Sequence, residues 1–212
     1  MTAPHNIPAV PIEYPDSDGR RIAENTLQFE WIVTLQGGLD HLFRHDPDVF
    51  VAGELLWYAV EGKVNRCASP DVMVVFGRPK GRRGSYKLWV ENGVAPQVVF
   101  DVLAPETRHG TLARKLLFYE KYGVEEYYVY DPDRVRLTGY IRDKSGLFAA
   151  VPKMDGYTSP RLGTRFDLSG EKLVVVRPDG KRFLTGLEAA QQNRDEEQRP
   201  AVLEKRLDQS HS

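Results

Sequence analysis

A chain of 212 residues suits one domain, or one domain with an appendage, and it can bury most of its apolar surface without cross-links. Its 41% hydrophobic content excludes a largely disordered protein, and its formal net charge of −1 excludes a uniformly basic nucleic-acid coat but not a local basic patch. Cys67 is the single cysteine, so no internal disulfide can form, and without a secretory signal or an apolar run near the roughly 20 residues that span a bilayer, the expected location is the cytoplasm.

Residues 1–19 carry Pro4, Pro8, Pro11 and Pro15 and end in Asp-Ser-Asp-Gly, which reads as a flexible arm. From Ile22 to Phe43, Leu27, Ile32, Leu35, Leu39 and Leu42 recur at helical spacing. Gly37-Gly38 weakens that helix without having to end it. VFVAGELLWYAV (49–60), SPDVMVVFG (69–77) and QVVFDVLAP (97–105) read as strands. TLARKLLFYEKYG (111–123) is a helix with Leu112, Leu116 and Tyr119 on one face and Gly123 as its stop. EYYVYDPD (126–133) is a strand ending in a turn. RVRLTGYIRD and SGLFAAVP form a hairpin pair, and short strands surround the Pro-Asp-Gly turn of FDLSGEKLVVVRPDGKRFLT. The tail, residues 186–212, is charged and helix-prone, with Pro200 interrupting. The strand–helix–strand unit at 98–131 implies a right-handed parallel crossover. The class is therefore α/β, with a mixed central sheet.

The chemistry concentrates in acids set among apolar strand residues. Asp71 opens DVMVVF, and Asp101 stands near the end of VVFDVL, 30 positions later. That distance allows a strand, a loop and a neighbouring strand, so the two carboxylates can meet. Glu54, on a third strand, can join them. Buried carboxylates repel and lose hydration, and a divalent cation removes both costs. Magnesium takes hard oxygen ligands and usually only one or two carboxylates, leaving room for water and phosphate. Lys115, on the helix after the Asp101 strand, is the candidate positive donor for an attacked phosphate.

Pro70-Asp71, Asp101-x-Leu103 and helical Lys115 resemble the PD-(D/E)xK nuclease superfamily. GELLWYAVEG (53–62), SPDVMVVFGRPKGRRGSYKLW (69–89), PQVVFDVLAPETR (96–108) and ARKLLFYEKYGVEEYYVYDPD (113–133) are similar, more closely, to the Uma-two family of restriction-type endonucleases abundant in cyanobacteria. The resemblance covers most of residues 20–190. It implies a restriction-endonuclease-like core, a mixed sheet flanked by helices, with extra hairpins and a charged helical tail. It also implies that Asp71 and Asp101 hold Mg2+, with Mn2+ able to substitute, and that the Val102 carbonyl is a further ligand. Lys115 matches the family's helical lysine, and an acid stands where Glu54 does. Three positions depart from the pattern. Leu103 replaces the superfamily's strand lysine, Asp101 replaces the branch's usual Glu, and Ala104 replaces a usual Ser.

Arg78, Lys80, Arg82, Arg83 and Lys87 lie in RPKGRRGSYK, a stretch without acids directly after the Asp71 strand. Phosphate contact needs cations rather than sequence information, so this loop is the candidate DNA contact; the alternative is a solvated loop. Tyr86 and Trp89 read as packing residues rather than base-stacking ones. His41 and His45, spaced i, i+4, read as helix-end residues, since no third Cys or His ligand accompanies them. No phosphate-cradling Gly loop and no Ser/His/Asp set is found.

The expectation is a Mg2+-dependent endonuclease domain over residues 20–185, acting on DNA as a homodimer, with no membrane partner and no small-molecule cofactor. Two rivals stand beside it. One is a degenerate nuclease-fold module that binds nucleic acid without cutting. The other is an interaction protein built around the charged tail.

Overall fold

The computed structural model describes residues 12–17, 19, 23–105, 109–192 and 194. Helix α1, Thr26–Leu42, begins where Asn25 supplies its side-chain oxygen to the Gln28 N–H and ends at Phe43. Gly37-Gly38 leaves it unbroken, and Gly38 has a packing reason. A Cβ there would stand 2.2 Å from the Phe183 ring.

Strands β1 (Val49–Gly53), β2 (Trp57–Tyr58), β3 (Cys67–Ala68), β4 (Val72–Phe76), β5 (Tyr86–Lys87) and β6 (Val98–Val102) follow. Helix α2 (His109–Lys121) leads to β7 (Glu126–Asp131), β8 (Arg136–Arg142), β9 (Phe148–Ala150), β10 (Arg165–Asp167) and β11 (Val174–Val176). The central six-stranded sheet has the order β1-β4-β6-β7-β8-β9. Within this sheet β6 and β7 pair in parallel, joined by the α2 crossover. The other pairs are antiparallel, so the sheet is mixed, as the sequence predicts.

The predicted stretch 49–60 is two strands rather than one. Glu54 adopts φ +52, a left-handed conformation that non-glycine residues rarely take. The chain turns there, leaves the central sheet and enters β2 of a three-stranded β3-β2-β5 sheet.

Strand alternation distributes the core. Phe100 and Val102 face one cluster with Ile32, Leu35 and Leu39 of α1. Val99, Met73, Val75 and Tyr127 face the other, with Tyr119 of α2 and Trp57 of β2. Residues that alternate in step with Val99 and Met73 therefore point toward α2.

Most of the expected flexible arm lies outside the described residues, but Tyr14–Asp16 is docked rather than loose. Tyr14 packs against the rings of Tyr58 and Trp89, and the Tyr58 hydroxyl donates to the Pro15 carbonyl at 2.7 Å. The Ser85 hydroxyl bonds Asp16. Of the expected helical tail, residues 186–192 are helical, and residues 195–212 lie outside the described ones. Among the described residues no helix is long and apolar enough to cross a membrane.

Candidate active site

β4 and β6 pair in the register Val72↔Phe100, Met73↔Val99. Extending it by one residue sets Asp71 opposite Asp101. β1 and β4 pair with Gly53 opposite Val72, and the next step sets Glu54 opposite Asp71. The three acids thus follow one another across neighbouring strands; alternation turns Asp71 and Asp101 toward α2, and Glu54 stands beside Asp71 at the turn that ends β1. The backbone fixes them further. The Glu54 N–H donates to the Asp71 carbonyl at 3.1 Å. The Asp71 N–H donates to Asp101 Oδ1 at 3.3 Å, and the Val102 N–H donates to Asp71 Oδ2 at 2.6 Å.

Lys115 comes down from α2 onto this row. Its Nζ lies 2.7 Å from Asp101 Oδ1 and 3.9 Å from Asp71 Oδ1. Asp101 is 2% exposed and Asp71 8%. The Tyr127 hydroxyl donates to the remaining Asp101 oxygen, Oδ2, at 2.7 Å.

The charge states follow from burial and neighbours. Burial, helped by the Asp71 charge, pushes the Glu54 carboxyl up to about 9, so Glu54 carries its proton at neutral pH. Burial also raises Asp71 to about 6 against the pull of Lys115. Burial opposes the charge on Lys115, but Asp101 and Asp71 outweigh it and hold the ammonium above the ordinary lysine range. Lys115 is therefore a cation and a donor, not a base.

This donor set fits a hard divalent cation. Asp71 and Asp101 offer adjacent carboxylate oxygens, and the ammonium that bridges them marks a place where positive charge is demanded. Among the described residues no three His, Cys, Asp or Glu side chains form a ready metal cage. Magnesium needs only one or two carboxylates and completes its shell with water or phosphate. The Val102 carbonyl, the further ligand that the resemblance implies, already accepts a hydrogen bond from Gln28 Nε2 at 2.8 Å. One of its lone pairs is thus committed to the protein.

The basic loop divides. Arg78 and Arg83 turn inward and clasp Glu91, with Nε–carboxylate distances of 2.8 and 2.7 Å. Arg83 also lies 4.0 Å from the Phe50 ring centroid. Lys80 approaches Asp40 at 3.4 Å, Lys87 stands 5.4 Å over the Tyr14 ring, and Arg82 is exposed. Tyr86 is fully buried, and its hydroxyl donates to the Val94 carbonyl at 2.6 Å. At the end of α1, the Arg44 guanidinium lies between the rings of His41 and His45.

The Uma2 family model, described as "Putative restriction endonuclease", matches residues 18–183. The chain belongs to the Uma2 family. Its fold is shared with a crystal structure from Anabaena variabilis ATCC 29413, described as "a putative nuclease belonging to DUF820". That likeness has a TM-score of 0.50 at 13% identity, over 66% of this chain and 75% of the other. No curated protein matches the chain significantly. The Uma2 assignment and the restriction-endonuclease-like fold together support a restriction-type nuclease.

Within this Uma2 chain, local sequence pattern does not single out Gln28, Tyr127 or Glu91. Gln28 sits in the first turn of α1 with no local mark of a role, and its bond to Val102 spans 74 positions. Tyr127 carries a partial signal. It alternates in step with Val129, the residue opposite Asp101, but only the parallel register of β6 and β7 reveals this.

Proposed function

We propose that this protein is a Mg2+-dependent endonuclease that hydrolyses DNA phosphodiester bonds, with Mn2+ able to replace Mg2+. The observation that carries the reading is the contact of the Lys115 ammonium with buried Asp101, beside Asp71 on the neighbouring strand. Asp71 and Asp101 are the cation ligands in this reading. A cation bound there would lower the pKa of a coordinated water and offset charge growing on the phosphate.

The chain's own groups supply the rest. Lys115 is held protonated, so it neutralises charge on a phosphate oxygen rather than abstracting a proton. Tyr127 fixes the Asp101 carboxylate, which otherwise could rotate away from a shared ligand. Glu54 holds a proton when the site lacks a divalent cation, and so limits the negative charge buried there. Its role is to tune the site. Arg82, Lys80 and Lys87 are the candidate phosphate contacts. Arg78 and Arg83 act through Glu91 to shape the loop that carries them. Two cuts in a duplex favour two sites, and a two-fold homodimer in the cytoplasm is part of the reading.

The test is Mg2+ and Mn2+ titration by calorimetry of the wild type and Asp71→Ala, followed by plasmid cleavage. Ion binding and cutting by the wild type, both abolished in the variant, are expected. Absence of ion binding with and without duplex DNA overturns the reading. Salt-sensitive DNA binding without cutting would favour the non-cleaving module.

A further inference from the structure

Tyr119 stands apart from the other fully buried tyrosines. The hydroxyls of Tyr58, Tyr86, Tyr127 and Tyr128 donate to Pro15, Val94, Asp101 and Glu126, and Tyr130 accepts from the Leu173 N–H. The Tyr119 hydroxyl is buried and has no hydrogen-bond partner among the described residues. Trp57 Nε1 shares that condition, and its ring stacks on Tyr119 with an interplanar angle of 3°. An unmade hydrogen bond in a core is costly, so a hydroxyl kept in this state needs an account.

Its location supplies one. Tyr119 lies one helical turn beyond Lys115, on the same side of α2. Its ring packs edge-on against Tyr127, with centroids 4.9 Å apart, and Tyr127 itself holds Asp101. The Tyr119 hydroxyl lies within electrostatic reach of Asp101, Tyr127, Asp71 and Glu54. Burial and those charges keep the phenol neutral, so it offers a donor O–H. The carboxylates themselves do not use this donor. Lys115, Tyr127 and the Asp71 N–H occupy Asp101, and the Val102 N–H occupies Asp71 Oδ2.

We infer that Tyr119 is a positioning residue of the cation site, its hydroxyl donating to an oxygen that a bound divalent cation brings in, either water or a phosphate oxygen of the substrate. The inference rests on the proposed metal-dependent reading and adds to it a protein group beyond the carboxylates and the lysine. Such a donor orients a coordinated oxygen without touching the metal. Outer partners of this kind typically contribute ten- to hundred-fold in metal affinity.

The experiment is Mn2+ titration by calorimetry of the wild type, Tyr119→Phe and Tyr130→Phe, without and with duplex DNA, with melting temperatures measured without metal. Tyr119→Phe removes a hydroxyl that has no partner in the metal-free protein, so its melting temperature is expected to equal or exceed the wild type's. Its Mn2+ dissociation constant is expected to rise about tenfold or more. Tyr130→Phe, altered in the α1-side core, is expected to bind Mn2+ as the wild type does. Equal Mn2+ affinity in wild type and Tyr119→Phe, both without and with duplex DNA, would assign the hydroxyl to a structural water and overturn the inference. A melting temperature several degrees lower for metal-free Tyr119→Phe would also overturn it, by revealing a partner inside the protein. If the wild type binds no Mn2+ with or without duplex DNA, the functional reading falls first and the inference with it.

Discussion

Asp71 and Asp101 face each other one step beyond the last paired residues of β4 and β6, and the Asp71 N–H donates to Asp101 Oδ1 at 3.3 Å. The bond fixes the two carboxylates relative to each other through the backbone rather than through flexible side chains. Lys115 then supplies the positive charge that lets both stay buried. A cation bound as proposed would therefore draw on the same oxygens that Lys115 contacts.

Competition for those oxygens predicts opposite effects in one variant. Lys115→Met leaves Asp101 and Asp71 without their cation, so the metal-free protein is expected to melt at a lower temperature. Mg2+ or Mn2+ then meets no competing ammonium, and the metal-induced rise in melting temperature is expected to exceed the wild type's. Cleavage is expected to fall by about 10²-fold or more, because a donor to the developing charge is gone. Thermal scans with and without metal, beside a plasmid assay, check both halves.

Gln28 ties the start of α1 to the end of β6. Its Nε2 donates to the Val102 carbonyl, and its Oε1 accepts from the Glu24 N–H at 2.8 Å. Gln28→Ala leaves that buried carbonyl short of a partner, a loss of about 1–3 kcal/mol. Urea unfolding is expected to show a lower midpoint with an unchanged slope. An unchanged midpoint would mean that water replaces the amide without cost.

Glu91 gives a pH dependence away from the acid row. Burial alone would push its carboxyl up, but hydrogen bonds and charge from Arg83 and Arg78 outweigh burial and hold it below the ordinary glutamate value. A carboxylate depressed in the folded state contributes stability that is fully present above its unfolded pKa and is lost as pH falls through the folded pKa. The wild type is expected to lose this contribution on acidification below the ordinary glutamate range. Glu91→Gln is expected to be less stable at pH 7 and to show a flatter decline over that window. Melting temperatures of both proteins across pH 3 to 7 decide it.

Salt dependence separates the cations of the basic loop. Each phosphate contact contributes about 0.9 to the slope of log affinity against log salt on duplex DNA. Arg82→Gln is expected to reduce that slope by about one unit while leaving the melting temperature unchanged, since Arg82 is exposed. Arg83→Gln is expected to lower the melting temperature, because it breaks the clasp on Glu91. Fluorescence anisotropy with a labelled duplex at several salt concentrations measures the slopes.

Local pattern carried much of this protein. The near-continuous apolar runs of DVMVVF and VVFDVL, the helical spacing of residues 111–123 and the Gly123 stop are properties of short stretches, and they suffice for an α/β chain with acids among buried strand residues. They also suffice to propose Asp71, Asp101, Glu54 and Lys115 as one group, since strand, helix and strand follow in order. The rest depended on contacts between distant segments. Pairing register set Glu54, Asp71 and Asp101 in a row, and a strand's own residues do not encode its neighbour's offset. The left-handed turn at Glu54 interrupts a stretch whose composition favours continuous strand, because the chain there leaves one sheet for another. Glu91 claims two of the five basic-loop cations through side chains that fold back across the loop. Tyr127, Gln28 and Tyr119 have ordinary sequence surroundings. Hydrogen bonds, burial and a missing partner distinguish them, and those exist only once the elements have packed together.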